Sequence, residues 1–293
     1  MKFQRLALIG CGLMGGSFAL ALRQAGCVAH VAGFSASDST RQKALKLGVI
    51  DSACASAAEA VQGADLVLVA VPVRATEATL RAIDPVLSAN ALVMDVGSTK
   101  GDVVAAARAA LQRSLPCFVP AHPIAGKEVA GIEHADAQLY RDRQVILTPL
   151  AENPTERVLL AHQLWQALGS RVLELSPEAH DASFAAVSHL PHLTAFALVN
   201  AVARQPHGAQ HLSMAGPGFR DFSRIAASDS NVWRDILLAN RDEVLHQCTL
   251  MREALHEFET AMKAGDADRL QALIAEASQT RSRWRLGGAD SDV

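Results

Sequence analysis

Apolar runs near residues 3–9, 28–34, 66–71, 91–96, 117–121 and 144–148 alternate with alanine-rich stretches of helical character through the first half of the chain. Strands that alternate with helices predict a parallel, doubly wound sheet. The run Asp65-Leu-Val-Leu-Val-Ala-Val-Pro72 is apolar on both faces, as a central strand requires, and Pro72 ends it. Leu92-Val-Met-Asp-Val-Gly-Ser-Thr-Lys100 and Phe118-Val-Pro-Ala-His-Pro-Ile-Ala-Gly126 are expected to end at the same carboxyl edge, where ligands bind in open α/β sheets. After Leu175-Ser-Pro177 the strand-like runs stop, and helical periodicity continues to about Leu286. The pattern therefore predicts an α/β segment over 1–174 followed by an all-α segment over 175–293.

Within the second segment, Ser230 is expected to cap a helix that continues to about Ala264. Its apolar positions Leu237, Val244, Cys248, Met251, Leu255, Phe258 and Met262 step by seven, four, three, four, three and four, a heptad seam. A helix of about 34 residues is about 50 Å long, more than a small domain covers by itself. A homodimer packed through these helices is the expectation; burial within one chain is the alternative. Gly265 then stops the helix, Asp266 or Asp268 starts another, and the tail from Gly287 reads as frayed.

The most informative local motif is Leu6-Ala-Leu-Ile-Gly-Cys-Gly-Leu-Met-Gly-Gly-Ser17, an apolar strand that runs into Gly10-x-Gly12-x-x-Gly15 and then a helix-forming stretch. This is the pattern of a dinucleotide-binding turn, in which glycines permit a tight turn and a close phosphate, and the helix N-terminus offers unpaired N–H groups. Composition agrees with an enzyme acting on a small molecule. The chain has 293 residues, half of them hydrophobic, enough for two cores, and its 27 basic and 30 acidic side chains give no broad surface for nucleic acid or anionic lipid. Cysteines 11, 27, 54, 117 and 248 form no CxxC pair, which argues against a zinc site or disulfide framework and fits a reducing cytosol. No signal peptide and no run of transmembrane length is read, so a cytoplasmic protein without a membrane partner is expected.

Taken together, Gly10-Cys-Gly-Leu-Met-Gly-Gly-Ser17, Val69-Ala-Val-Pro72, Asp95-Val-Gly-Ser-Thr-Lys-Gly101, His122-Pro-Ile-Ala-Gly126, Ser188-His-Leu-Pro-His192 and Gly216-Pro-Gly-Phe-Arg-Asp-Phe-Ser-Arg-Ile-Ala-Ala-Ser228 with Trp233 resemble one family. It is the prephenate and arogenate (cyclohexadienyl) dehydrogenases of tyrosine biosynthesis. The resemblance spans nearly the whole chain and implies a Rossmann-type domain over 1–174 and a helical substrate and dimerisation domain over 175–293. It also implies an oxidative decarboxylation in which a ring hydroxyl loses its proton and the ring becomes aromatic. A neutral imidazole suits that proton, and His122, just after a strand end, is the candidate acceptor. By resemblance Ser98 hydrogen-bonds the reacting hydroxyl and orients the histidine, Arg224 anchors a substrate carboxylate through paired hydrogen bonds, and His189 and His192 line the pocket. Lys100 reads either as a phosphate or carboxylate ligand or as a solvated residue. Trp233 reads as packing beneath the pocket or touching substrate, and His207 and His211 as loop residues. No metal ligands accompany the histidines.

The cofactor contacts expected are Gly10, Gly12, Leu13, Met14 and Gly15 of the turn, Val71 and Pro72 after the central strand, and Ser35 and Thr40 after the second strand. An NAD enzyme usually carries an acidic residue where Ser35 stands. The stretch Ser35-Ala-Ser-Asp-Ser-Thr-Arg41 offers hydroxyls and one arginine, so NADP is favoured, although Ala36 replaces the arginine of NADP-using relatives and Asp38 leaves NAD open. Prephenate is favoured over arogenate, with no motif to decide. Two other readings are a 3-hydroxyacid or imine oxidoreductase and a nucleotide sensor without chemistry. The first usually needs a lysine on the first helix of the second domain, and none lies between Lys127 and Lys263.

Overall fold

The computed structural model describes residues 1–127 and 129–285, so the tail expected from Gly287 lies outside the described residues. Strands β1 (Phe3–Ile9), β2 (Val28–Phe34), β3 (Ser52–Ala53), β4 (Leu66–Val69) and β5 (Leu92–Asp95) form a parallel sheet in the order β3-β2-β1-β4-β5. Helices α1 (Leu13–Gln24), α2 (Asp38–Lys46), α3 (Ala57–Val61), α4 (Thr76–Ile83) and α5 (Gly101–Ala110) connect and flank them. Side chains alternate between faces along each strand, and both faces are covered. Leu6, Leu8, Leu66, Leu68, Leu92 and Met94 enter one core beside Phe18, Tyr140 and Trp165. Ala7, Ile9, Val67, Val69 and Val93 enter the other, against Leu80, Ile83 and Val104. Central strand β4 is apolar at every position because neither face meets water. This is the Rossmann-type arrangement expected.

A second sheet adjoins the first. Strands β6 (Ala121–Pro123), β7 (Gln144–Leu147) and β8 (Arg171–Glu174) pair in that order, with α6 (Thr155–Ala167) between the last two. Here the expectation of a uniformly parallel sheet is corrected: β6 runs antiparallel to β7, His122 opposite Ile146. The run 117–121 is also not one strand. Cys117 closes the 3₁₀ turn Leu115–Cys117 around Pro116, Phe118 makes only an isolated bridge to Val93, and the strand proper begins at Ala121. Proline withholds the N–H that a longer ladder needs.

Beyond β8 the chain is helical: α7 (Pro177–Phe184), a π turn (Ala185–His189), α8 (Leu190–Ala203), α9 (Gly208–Ser213), α10 (Pro217–Ser223), a 3₁₀ turn (Arg224–Ala227), α11 (Ser230–Ala239), α12 (Arg241–Ala264) and α13 (Ala267–Arg283). Three expectations change. His211 lies on α9, with His207 at its N-cap, so they are not both loop residues. The run Pro177–Ala203 is, by length and composition, long and apolar enough to cross a membrane, where the sequence reading found none. Its buried His180, Asp181 and His189 are hydrogen-bonded within the protein instead. Lastly, the single helix from Ser230 to about Ala264 is two. Asp229, rather than Ser230, caps α11 by accepting from the N–H groups of Asn231 and Val232 at 2.9 and 3.0 Å. The helix stops at Ala239, and Asn240 leaves the helical range (φ −106°, ψ 33°). Its side chain bonds Asp181 and His189, far away in sequence.

By compactness the chain divides into a unit up to Asn240 and a unit from Arg241. In the second, α12 and α13 pack on each other around Gly265 (φ +63°), and Asp266 caps α13 by accepting from the Arg269 N–H at 2.9 Å.

Candidate active site

The glycine turn after β1 is shaped for close approach from outside. Gly10 has φ +103°, and a Cβ there would lie 2.2 Å from the Ala70 carbonyl oxygen. A Cβ on Gly12 would meet nothing within 4 Å, so that backbone faces open space. The N-terminus of α1 follows with no acidic side chain in its first turn, a favourable field for an anion. A cleft of about 680 Å³ opens here, lined among others by Gly10, Gly12, Ser35, Thr40, Val71 and Pro72. Leu13 begins α1, the Met14 carbonyl accepts from the Tyr140 hydroxyl at 2.7 Å, and Gly15 is buried in the first turn. These three support the turn rather than line the cleft. Open backbone, a helix N-terminus without a side-chain cap and a cleft running from Gly10 to Ser35 and Thr40 fit a dinucleotide.

At the far end of the cleft, β2 delivers Phe34 and then Ser35, with no carboxylate at the strand end. The Arg41 guanidinium lies 5.7 Å from the Phe34 ring centre, donates to the Ser35 carbonyl, and holds Asp38 at 2.9 Å. Ser39 and Lys43 join Ser35 and Thr40 along the wall, and Lys43 pairs with Glu133 at 2.8 Å.

The carboxyl edge of the sheet carries a connected polar network. Asp95, at the end of β5, pairs with Lys100 across 2.5 Å, and both are buried. Asp95 also accepts from the N–H of Ala121 at 3.0 Å and of Gly97 at 2.8 Å, which ties the start of β6 to the loop holding Ser98. Lys100 is therefore neither a free phosphate ligand nor a solvated residue. The next residue of β6 is His122. Its Nδ1 lies 2.8 Å from His180 Nε2, and His180 Nδ1 lies 2.8 Å from Asp181 Oδ1. Asp181 further accepts from the N–H groups of Lys100 and Gly101 at 2.8 Å each, at the start of α5. Phe184 covers both imidazoles, with ring centres 4.9 and 4.5 Å away.

Burial, reinforced by His180 and the Lys100 charge, holds His122 well below the ordinary histidine value, so its ring is neutral. Burial also lowers His180, against the pull of Asp181. Burial works to raise Asp181, but the hydrogen bonds from His180 and the two N–H groups prevail and keep it ionised.

The helical histidines form a second group. The Asn240 amide donates to the Asp181 carbonyl at 2.8 Å and meets His189 Nδ1 at 3.1 Å. Burial pushes His189 down to about 4, with Asp181 acting the other way. His192 stacks on Trp233 at 3.6 Å between ring centres, anchored by the Ser188 carbonyl at 2.9 Å from its Nδ1. Trp233 also meets the His189 ring edge-on. The π turn that precedes α8 sets the directions of His189 and His192 by adding a residue to the helical register. Arg224 is exposed and opens the 3₁₀ turn that packs beside α8. Ser98 is half-buried between Asp95 and Lys100, while the His122 Nδ1 is engaged by His180.

Sequence reasoning passed over His180, Asp181, Asp95 and Asn240. The adjacent His-Asp pair at the start of the helical segment after Ser176-Pro177 is the one signal that would have found the first two. Among the described residues no cluster suits a metal ion, and the cysteines are free thiols.

Comparison with known proteins bears on this geometry. The family model of the prephenate dehydrogenase nucleotide-binding domain matches residues 18–174, and that of the prephenate dehydrogenase dimerization domain matches residues 176–276. A cyclohexadienyl dehydrogenase from Zymomonas mobilis is 34% identical over 283 residues, covering 95% of each chain. A prephenate dehydrogenase from Bacillus subtilis is 35% identical over 282 residues, 94% of this chain and 75% of the relative. The crystal structure of prephenate dehydrogenase from A. aeolicus in complex with hydroxyphenyl propionate and NAD+ superimposes with a TM-score of 0.90 at 34% identity, covering 96% of this chain and 98% of that one. In sequence along nearly its whole length, and in fold, the chain belongs to the prephenate dehydrogenase family.

Proposed function

We propose that this protein converts prephenate to 4-hydroxyphenylpyruvate and carbon dioxide, reducing NADP, in tyrosine biosynthesis. The observation that carries the reading is His122, a neutral imidazole on β6 whose neighbour Ala121 is tied to the carboxyl end of β5, in the sheet whose first turn fits a dinucleotide. A nicotinamide held there would supply the acceptor for the hydride of the ring carbon bearing the hydroxyl. His122 takes the hydroxyl proton as carbonyl character grows. The ring carboxylate then leaves as carbon dioxide, its electron pair completes the aromatic ring, and the oxygen recovers the proton from His122, which ends neutral. Aromatisation drives the sequence forward.

In this reading Ser98 hydrogen-bonds the reacting hydroxyl, and His189 and His192 line the pocket. Arg224 holds a carboxylate of the dianionic substrate through charge-assisted hydrogen bonds. Gly10, Gly12, Val71 and Pro72 line the dinucleotide's cleft, Leu13, Met14 and Gly15 shape the turn that receives it, and Ser35 and Thr40 serve its 2′-phosphate end. The preference for NADP rests on the missing carboxylate after β2 and on Asp38 being held by Arg41. NAD is the second reading, favoured by the A. aeolicus relative, whose complex contains NAD+. Arogenate is the second substrate reading, favoured by the resemblance to a cyclohexadienyl dehydrogenase.

The chain works as a nucleotide-binding domain over 1–174 and a substrate and dimerisation domain over 175–293, in a cytoplasmic homodimer. Exposed Leu245, Leu255 and Met262 on α12 support the dimer, since such side chains call for cover. One experiment tests the assignment: absorbance of reduced nicotinamide with prephenate and arogenate, each with NADP and NAD. Turnover fastest with prephenate and NADP is expected. No turnover in any combination overturns the reading.

A further inference from the structure

The hydrogen bonds behind His122 have a direction that can be worked out donor by donor. An ionised carboxylate only accepts, and Asp181 Oδ1 lies 2.8 Å from His180 Nδ1, so that nitrogen carries the hydrogen. A neutral imidazole carries one hydrogen, which leaves His180 Nε2 as a lone pair. It faces His122 Nδ1 at 2.8 Å, so the His122 Nδ1 must be the donor. The remaining nitrogen of the neutral His122 ring, Nε2, is then bare.

We propose that His180 and Asp181 are positioning residues that hold His122 in its Nδ1–H form, leaving Nε2 to receive the substrate's proton. The proposal rests on His122 being the proton acceptor, and it says which of its atoms acts and what selects that atom. Asp181 is well placed for this task. Its carboxylate is fixed by the N–H groups of Lys100 and Gly101, and its carbonyl by Asn240, so it cannot swing away from His180. Phe184 packs on both rings and limits their rotation. When Nε2 takes a proton, the positive charge on His122 is shared through Nδ1–H with a chain that ends on a carboxylate. Without His180, either nitrogen of His122 can hold the hydrogen, and the form with Nε2–H has no lone pair for the substrate.

The test combines nitrogen-15 NMR of histidine-labelled protein near neutral pH with kinetics of the full chain. His122 signals are assigned by their loss in His122→Asn. A protonated Nδ1 and a bare Nε2 are expected in the native protein; a protonated Nε2 overturns the proposal whether or not any variant folds. His180→Phe removes the acceptor and should lower kcat by roughly ten- to a thousandfold with KM little changed, and mix the two His122 forms. His180→Gln restores an acceptor oxygen and should recover most of the turnover and the Nδ1–H signal. Native kcat in His180→Phe, or a folded His180→Gln no better than His180→Phe, also overturns it. Full turnover in His122→Asn would instead sink the assignment of His122 as acceptor, which the NMR result does not depend on.

Discussion

Acid should destabilise this protein through His189, and the amount can be worked from its surroundings. The ring is buried beside Asn240 and Trp233, and burial moves it from the ordinary value near 6.5 down to about 4. Below about pH 6.5 the unfolded chain binds a proton at this residue that the folded chain refuses. Stability is therefore full above that pH and drains as pH falls toward about 4. The whole gap corresponds to roughly 3 kcal/mol, of which about 2 kcal/mol is lost by pH 5. His122, His180 and His192 are also lowered by burial and drain stability in the same direction, so a difference measurement is needed. Urea unfolding of the native protein and His189→Gln, followed by circular dichroism from about pH 7.5 to about 5, isolates the residue. The native protein should lose about 2 kcal/mol more than the variant over that range. Parallel stability curves would refute the reasoning, because they would mean that the buried ring takes up protons as readily as an exposed one.

Other outcomes follow from the same geometry. His122→Asn should leave fold and cofactor affinity nearly intact while turnover falls roughly a hundred- to ten-thousandfold, checked by steady-state kinetics beside cofactor titration. Arg224→Ala should raise KM for substrate, each lost charge-assisted hydrogen bond being worth roughly 1.5 to 3 kcal/mol, with nicotinamide cofactor binding unchanged by fluorescence titration. The two glycines of the turn should separate folding from binding. Gly12→Val meets open space, so the melting temperature should hold while cofactor affinity collapses. Gly10→Ala drives a Cβ into the Ala70 carbonyl at positive φ and should instead lower the melting temperature by several degrees, read by differential scanning calorimetry.

The sequence by itself determined the elements whose cause is local or periodic. Strand Leu66–Val69 and the first three residues of Leu92–Asp95 are apolar at every position because both faces are buried, and that requirement is written in consecutive residues. The glycine turn declares itself because Gly10 has a backbone and a contact that call for glycine, while Gly12 leaves the space that a bound phosphate needs. His122 was legible from its motif, but not its place: expected just after a strand end, it lies inside the short strand Ala121–Pro123, opposite Ile146. Tertiary structure decided whatever depends on partners far apart along the chain. Asn240 reads as one more residue of a long helix, yet its amide bonds to Asp181 and His189, 59 and 51 residues away, and the helix stops there. Lys100 reads as a surface cation until the fold buries it against Asp95. His180 has no motif of its own, since its meaning lies in a hydrogen bond to a ring 58 residues earlier. Periodicity records how much of a residue meets water; which polar atoms it meets is fixed only when the strand edge and the helices come together.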